Sequence, residues 1–179
     1  MKYRTIVIDP PWNIGKINMK NYLGFANKET LPYNQMTDDE IRKFPINDYA
    51  EENCQLFLWT THTTLPFGLE LCKLWGFKYH CLITWDKTKG VVLLGVNRRT
   101  ENCIYAYKGR MELKQKNFSI PTIIKEDSTN HSEKPKTFYN LLLRGTPEPR
   151  IDIFSRKKHI GFDSYGNEAE EPLTLTQFT

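Results

Sequence analysis

The sequence predicts an open, mostly parallel, twisted α/β sheet with helices on both faces. Two observations predict it. Short runs rich in β-branched and aromatic residues alternate along the chain with segments patterned as helices. Prolines and polar residues fall at the ends of the apolar runs rather than inside them. The length, 179 residues, fits one compact domain over 1–179 and hardly two.

Tyr3-Arg4-Thr5-Ile6-Val7-Ile8 reads as a short buried strand. It stops at Asp9-Pro10-Pro11-Trp12, because two prolines cannot continue a central strand. Residues 13–35 hold no steady period and contain Gly15, Gly24 and Pro32, which predicts a long loop that is functional or mobile. Thr37-Asp38-Asp39-Glu40 is a capping-box pattern; it opens a helix to about Phe44, which Pro45 ends. Residues 55–60 (QLFLWT) form a second buried strand. Thr63 or Thr64 caps a helix that runs through Trp75, with Gly76 as its stop. A third strand covers 77–85 and a fourth 102–107. Between them lies a loop, 86–101, containing several Lys, Arg and Gly residues. Residues 109–133 are another long polar and basic connection. A helix over 136–144 is closed by Gly145, and 150–154 make the last strand. In such sheets ligands bind beyond the C-terminal ends of strands. The places to look are Asp9 onward, Thr60-Thr61-His62 and Ser155-Arg156.

Apolar residues make up 39% of the chain and aromatics 13%, enough for a core with aromatic surface left for a ligand. The low-hydrophobicity, high-charge signature of disorder is absent. No run approaches the length of a bilayer span, and no signal segment opens the chain, so a soluble, cytoplasmic protein is expected. Cys54, Cys72, Cys81 and Cys103 form no close pair and sit in or beside apolar runs. They read as buried reduced thiols rather than as disulfides or zinc ligands. The four scattered histidines show no ligand spacing either, so no metal is expected. The net charge is +4, but it is unevenly spread: residues 61–160 carry 18 basic and 9 acidic side chains, and the last nineteen carry 4 acids and no base. That suits a polyanion met on one face, or else ordinary solvated lysines.

Asp9-Pro10-Pro11-Trp12 at a buried strand end carries the chemistry. The amino nitrogen of adenine is a poor nucleophile because its lone pair is delocalised into the ring. Two acceptors holding its hydrogens localise that lone pair and aim it at an electrophile. Asp9 supplies a carboxylate and the Pro10 carbonyl a second acceptor, both preorganised by the prolines. Trp12 offers a face on which an extruded base could stack. The plainer alternative is a proline-rich turn with Trp12 in the core.

The tetrapeptide resembles the catalytic signature of the adenine-N6 methyltransferases that depend on S-adenosylmethionine. Its tryptophan is similar to that of the family of the eukaryotic messenger-RNA adenine methyltransferase catalytic subunit and its bacterial and phage relatives. Pro32-Tyr33, residues 56–61, Trp85 with Lys87, Arg99-Thr100-Glu101, residues 131–135, residues 152–156 and Gly166-Asn167-Glu168 follow in the family's order. The resemblance implies a Rossmann-like class I methyltransferase fold in which the catalytic motif precedes the cofactor strand. It implies methyl transfer to the N6 of adenine in nucleic acid, releasing S-adenosylhomocysteine. By the same resemblance Ile8, Asp9, Ser132, Lys134, Asp152, Arg156, Asn167 and Glu168 surround the cofactor. Tyr33, Lys87 and Glu101 then lie near substrate. The sequence departs from the family's pattern at Phe162, where tryptophan is usual, and at Asp152, where glutamate is usual. Read without the resemblance, Asp152 could equally pair with Arg150 or Arg156.

His62 at a strand end is a candidate contact for base or cofactor. Lys87, Lys89, Arg98 and Arg99 are candidates for phosphate, or a solvated loop. Arg156-Lys157-Lys158-His159 either serves ligands or is a solvated turn. By resemblance the partner is a nucleic acid, DNA ahead of RNA with an RNA adenine-N6 methyltransferase as the alternative, in a bacterial or phage-infected cell, and a homodimer or a related subunit is open. Two rival readings remain: a nucleic-acid-binding subunit without turnover, and a cytosine amino-methyltransferase, in which serine usually replaces Asp9.

Overall fold

Five of the six side chains of β1 (Tyr3–Ile8) are buried, all but Arg4. A strand so enclosed must have neighbours on both edges and layers on both faces. Both are present in the computed structural model, which describes residues 1–13, 35–93, 95–128 and 133–166. After β1 come α1 (Asp38–Arg42), α2 (Ile46–Tyr49), β2 (Ala50–Thr60), α3 (Leu65–Leu74), β3 (Lys78–Leu93) and β4 (Val96–Lys108). Then follow β5 (Ile123–Lys125), α4 (Lys136–Gly145), β6 (Arg150–Ile153) and β7 (Asp163–Tyr165). The strands form one sheet in the order β5-β3-β4-β2-β1-β6-β7. β1 pairs in parallel with β2 and β6, β6 with β7, and β3 with β5; β4 is antiparallel to both β2 and β3. This is the mostly parallel α/β sheet the sequence predicts.

The period-2 alternation of strands builds a core on each face. Ile6 and Ile8 of β1, Leu56 and Leu58 of β2 and Ile104 of β4 join Ile41, Ile46 and Leu71 from α1, α2 and α3. Val7, Phe57, Trp59, Cys103 and Tyr105 point the other way and meet Phe138, Tyr139 and Leu142 of α4. Residues 56–59 of β2 are fully buried on both faces, as their uninterrupted apolar run requires.

Two helix ends follow the predicted chemistry, whereas Thr64, the α3 N-cap, makes no side-chain capping hydrogen bond and Gly145 lies within α4, whose C-cap is Thr146. Thr37 accepts from the Glu40 N–H while Glu40 accepts from the Thr37 N–H, a complete capping box. Gly76, just beyond the α3 C-cap Trp75, has φ 77°, the left-handed value that glycine adopts most readily.

Three expectations are corrected. Residues 86–101 are not a loop: β3 and β4 continue as a two-stranded ribbon, pairing as far as Leu93 with Val96. The 109–133 connection contains β5, held parallel to β3 through Thr84 with Ile123 and Trp85 with Ile124. And 150–154 is not the last strand, because β7 adds to β6. In the last two cases backbone pairing with a distant partner overrides a local sequence without apolar alternation, and in the first the pairing runs between neighbouring segments across a tight turn. Among the described residues, no helix is long and apolar enough to cross a membrane.

Candidate active site

β1 stands between β2 and β6, and the chain leaves it first towards one and returns much later beside the other. Its C-terminal tip is therefore the switch point of the sheet, where helices on opposite faces diverge and a crevice opens. Asp9 sits at this tip, its N–H donating to the Ile153 carbonyl of β6 at 3.3 Å. The two prolines then turn the chain tightly: the Trp12 N–H donates to the Pro10 carbonyl at 2.7 Å, and the Met36 N–H to the Pro11 carbonyl at 2.9 Å. One lone pair of the Pro10 carbonyl is thus engaged within the turn, and one remains.

A chain of alternating charges runs from Asp9. Lys134 Nζ lies 2.9 Å from Asp9 Oδ2 and 2.9 Å from Glu101 Oε2. Lys87 Nζ lies 2.9 Å from Glu101 Oε1. Burial alone favours neutral Lys134, yet the two carboxylates beside it raise its pKa above the ordinary value. Burial likewise works to raise Glu101, but Lys134 and Lys87 together hold its carboxyl below the usual range. For Asp9 burial prevails, pushing the carboxyl up against the pull of Lys134. The result is a charged, hydrogen-bonded triad of Asp9, Lys134 and Glu101 backed by indole rings. Lys134 Nζ lies 5.2 Å from the Trp59 ring centroid and Lys87 Nζ 5.7 Å from that of Trp85.

Local structure explains how these groups meet. The β3–β4 register jumps between Asp86, which faces Thr100, and Val91, which faces Arg98. Residues 87–90 therefore bulge opposite Arg99 alone, and such a bulge re-aims side chains. Lys87 is turned back onto Glu101 in this way. Gly90 is required there, since a Cβ would lie 2.6 Å from Arg99 Cα. Lys134 precedes α4, whose first N–H groups, on Lys136 and Thr137, donate to the Glu126 carboxylate at 2.8 and 3.0 Å. Glu126 is in turn tied by its carbonyl to Trp85 Nε1 at 2.7 Å.

Asp9 and Lys134 form one wall of a cleft that also takes in Asp152, Phe154, Arg156 and His159. The cleft is open to solvent and has a cavity volume of about 90 Å³. Asp152 is 2% exposed; burial pushes its carboxyl up to about 7, although the Tyr139 hydroxyl donates to Oδ2 at 2.8 Å. Phe154, directly after β6, has φ 64°, a left-handed conformation that non-glycine residues seldom hold away from functional sites.

Among the predicted residues the structure brings together Asp9, Lys134, Asp152 and Arg156 around the cleft, with Glu101 and Lys87 joined through Lys134. Asp152 does not pair with Arg150, whose guanidinium is taken by Glu148, Thr146 and Leu143. His62 is exposed beside Thr100, 3.0 Å from its hydroxyl. Arg99 pairs with Asp86 at 2.9 Å on the ribbon, where Arg98 also lies. Tyr33, Ser132, Asn167 and Glu168 lie outside the described residues.

The structure places the side chains of two predicted residues in the core. Trp12 is not an open stacking face: it is 5% exposed, edge-on to Phe67 at 6.0 Å, with Nε1 donating to the Trp59 carbonyl. The tight turn at Pro10 drives its ring into the core. Ile8 presents no side chain to the cleft, because its place in β1 sends it into the core on one face. Conversely, Tyr139 and the His159 stacked on it lie at the cleft. The signal for Tyr139 was a polar-tipped aromatic on the buried face of an amphipathic helix.

The comparisons with known proteins agree with this layout. A family model described as MT-A70 matches residues 3–168. The human N(6)-adenosine-methyltransferase catalytic subunit METTL3 is 30% identical over 169 residues, covering 89% of this chain and 26% of its own length. The Arabidopsis thaliana N(6)-adenosine-methyltransferase MT-A70-like is 30% identical over 93% of this chain and 24% of itself. The type II methyltransferase M.MunI of Mycoplasma sp is 24% identical over 93% of this chain and 78% of itself. The chain thus spans about a quarter of the length of the eukaryotic relatives it matches.

Proposed function

The chain belongs to the MT-A70 family, and from that premise we propose that it transfers a methyl group from S-adenosylmethionine to the N6 amino group of adenine in a nucleic acid. The observation that carries this reading is the placement of Asp9. It is fixed at the sheet's switch point, with one carboxylate oxygen on Lys134 and its side chain on the wall of the cleft that holds Asp152. The proposal treats residues 1–179 as a single methyltransferase domain.

The cleft suits S-adenosylmethionine by donor set. That molecule carries a ribose diol, an α-carboxylate and two cationic centres. The cleft offers the buried carboxylate of Asp152 for the diol, and Lys134, Arg156 and Lys157 as positive charge for the carboxylate. When bound, the cofactor supplies an electrophilic methyl on a sulfonium.

The chain's own residues do the rest by positioning. Lys134 engages Asp9 Oδ2 and so leaves Oδ1 to accept one amino hydrogen. The free lone pair of the Pro10 carbonyl accepts the other. Both acceptors draw the nitrogen's lone pair out of the ring and towards the cleft. The proton released from nitrogen passes to Asp9, whose burial favours holding it. Trp12 acts as a buttress that locks the turn, not as a platform for the base.

DNA is taken as the favoured substrate, with RNA as the alternative that the test below separates. Lys89, Arg98 and Arg99 place positive charge along the ribbon beside the site, suited to phosphates. The test is incubation with labelled S-adenosylmethionine and single-stranded DNA, duplex DNA or RNA, then digestion and identification of the modified nucleoside. N6-methyladenine, richest from DNA, is expected. No labelled nucleoside from any substrate contradicts the enzyme reading and favours a binding subunit.

A further inference from the structure

Tyr139 of α4 has no part in the mechanism above, yet it is fixed with unusual completeness. Its hydroxyl donates to Asp152 Oδ2 at 2.8 Å. Its ring lies flat on the His159 imidazole, centroids 3.5 Å apart and planes 10° from parallel. Phe138 and Phe162 meet the same ring edge-on at 5.4 and 5.6 Å. The ring is thus held on several sides, and its polar tip has one acceptor. His159 Nε2 lies 3.7 Å from the Asp152 oxygen that Tyr139 engages. Asp152 and His159, distant by seven residues and separated by a turn, are brought into one hydrogen-bonding edge by a single side chain of another element.

That edge faces the cleft, where Asp152, Tyr139 and His159 all contribute to the lining. A vicinal diol is recognised by polar atoms held at fixed separation, because each hydroxyl must find its partner without further ordering. We propose that Tyr139 is a positioning residue for the cofactor's ribose: its hydroxyl orients the Asp152 carboxylate and its ring shelves His159, so that the two present one edge to the diol. This rests on the methyltransferase reading and adds to it the residue that arranges the ribose subsite. Tyr139 engages Oδ2 and Ser155 also hydrogen-bonds the carboxylate, whose remaining lone pairs can accept from a hydroxyl.

The groups facing Asp152 are Tyr139 from α4, His159 from the turn after β6, Asp9 from the tip of β1, and Lys134 ahead of α4. Burial and Asp9 oppose its ionised form, whereas Tyr139, the neighbouring Ser155 hydroxyl and Lys134 favour it. Ribose binding by the carboxylate therefore strengthens as pH rises through the Asp152 midpoint.

The test is calorimetric titration of the whole chain with S-adenosylhomocysteine between pH 5.5 and 8.5. Tyr139→Phe keeps the ring and its stacking, and its fold is checked by melting. It should weaken binding roughly tenfold and move the pH midpoint upwards, which a purely structural loss does not do. Asp152→Asn still gives the Tyr139 hydroxyl an acceptor; it should weaken binding and abolish the pH step. The double variant should be no weaker than Asp152→Asn alone. Unchanged affinity and midpoint in Tyr139→Phe, additive losses in the double variant, or a persisting pH step in Asp152→Asn overturn the proposal. If the wild-type chain binds no S-adenosylhomocysteine at any pH, the methyltransferase reading itself fails, and that outcome is distinct from failure of the Tyr139 role.

Discussion

The tip of β1 and the ribbon made by the outer parts of β3 and β4 lie on the same sheet but are built in opposite ways. At the tip, Asp152 is buried, Asp9 and Lys134 are partly buried beside it, and each charge has a named partner. On the ribbon, Lys89 and Arg99 are exposed, as are Val92 and Val96, and Arg99 pairs with Asp86 in water. Buried pairs hold geometry because losing a partner strands a charge; exposed pairs are screened and hold little. Chemistry that depends on ångström placement belongs to the first region, and contact with an extended polyanion to the second.

The sharpest way to break this comparison is Lys134→Met. It leaves the partly buried carboxylates of Asp9 and Glu101 without their shared cation, Glu101 keeping only Lys87, so chemical denaturation should show a loss of about 2–3 kcal/mol. A loss below 1 kcal/mol, the scale of an exposed pair, would erase the distinction between the two regions.

Next is Asp152→Asn, read by stability instead of binding. The Asp152 carboxyl sits at about 7 in the folded chain and near 4 when unfolded. A folded pKa above the unfolded one contributes stability that is complete below about pH 4 and is lost as pH rises through 7. The asparagine variant cannot titrate. Its advantage over wild type should therefore grow between pH 5 and pH 8, by roughly 2 kcal/mol, in melts at the two pH values.

Charge reversal on the ribbon, Arg98→Glu with Arg99→Glu, should leave S-adenosylhomocysteine binding and melting temperature almost unchanged. It should weaken nucleic-acid binding and reduce the salt dependence of that binding by about two phosphate contacts. An equal effect on cofactor binding would show that the two regions are not separate. The smallest effect expected is that of Gly95→Ala at the ribbon's turn. There is open space for the Cβ, but φ is 77°, so the cost should be about 1 kcal/mol, confined to the ribbon and visible as faster local hydrogen exchange.

The same contrast explains what could be read from the sequence. β1, β2 and α4 were legible because their apolar runs and periods are local statements about burial. Asp9 was legible because a carboxylate followed by two prolines at a buried strand end is both rare and chemically pointed. The ribbon was not: its Lys, Thr, Gly and Arg residues pair through the backbone, and the bulge opposite Arg99 follows from a register that no single strand encodes. β7 is three residues long and exists because β6 offers it an edge. The burial of Trp12 depends on a turn direction set by hydrogen bonds to Pro10 and Trp59. The triad of Asp9, Lys134 and Glu101 joins residues from three distant segments, and the link between Tyr139 and Asp152 appears only once α4 is laid on the sheet.

The central claim is that the Asp9 carboxylate holds the reacting amine while other residues hold the cofactor. Single-turnover methyl transfer by Asp9→Asn, with cofactor saturating and binding measured in parallel, tests it most directly. S-adenosylmethionine affinity within a few-fold of wild type should accompany a fall in transfer of about 10²–10³ or more. Transfer by that variant at near wild-type rate would contradict the account.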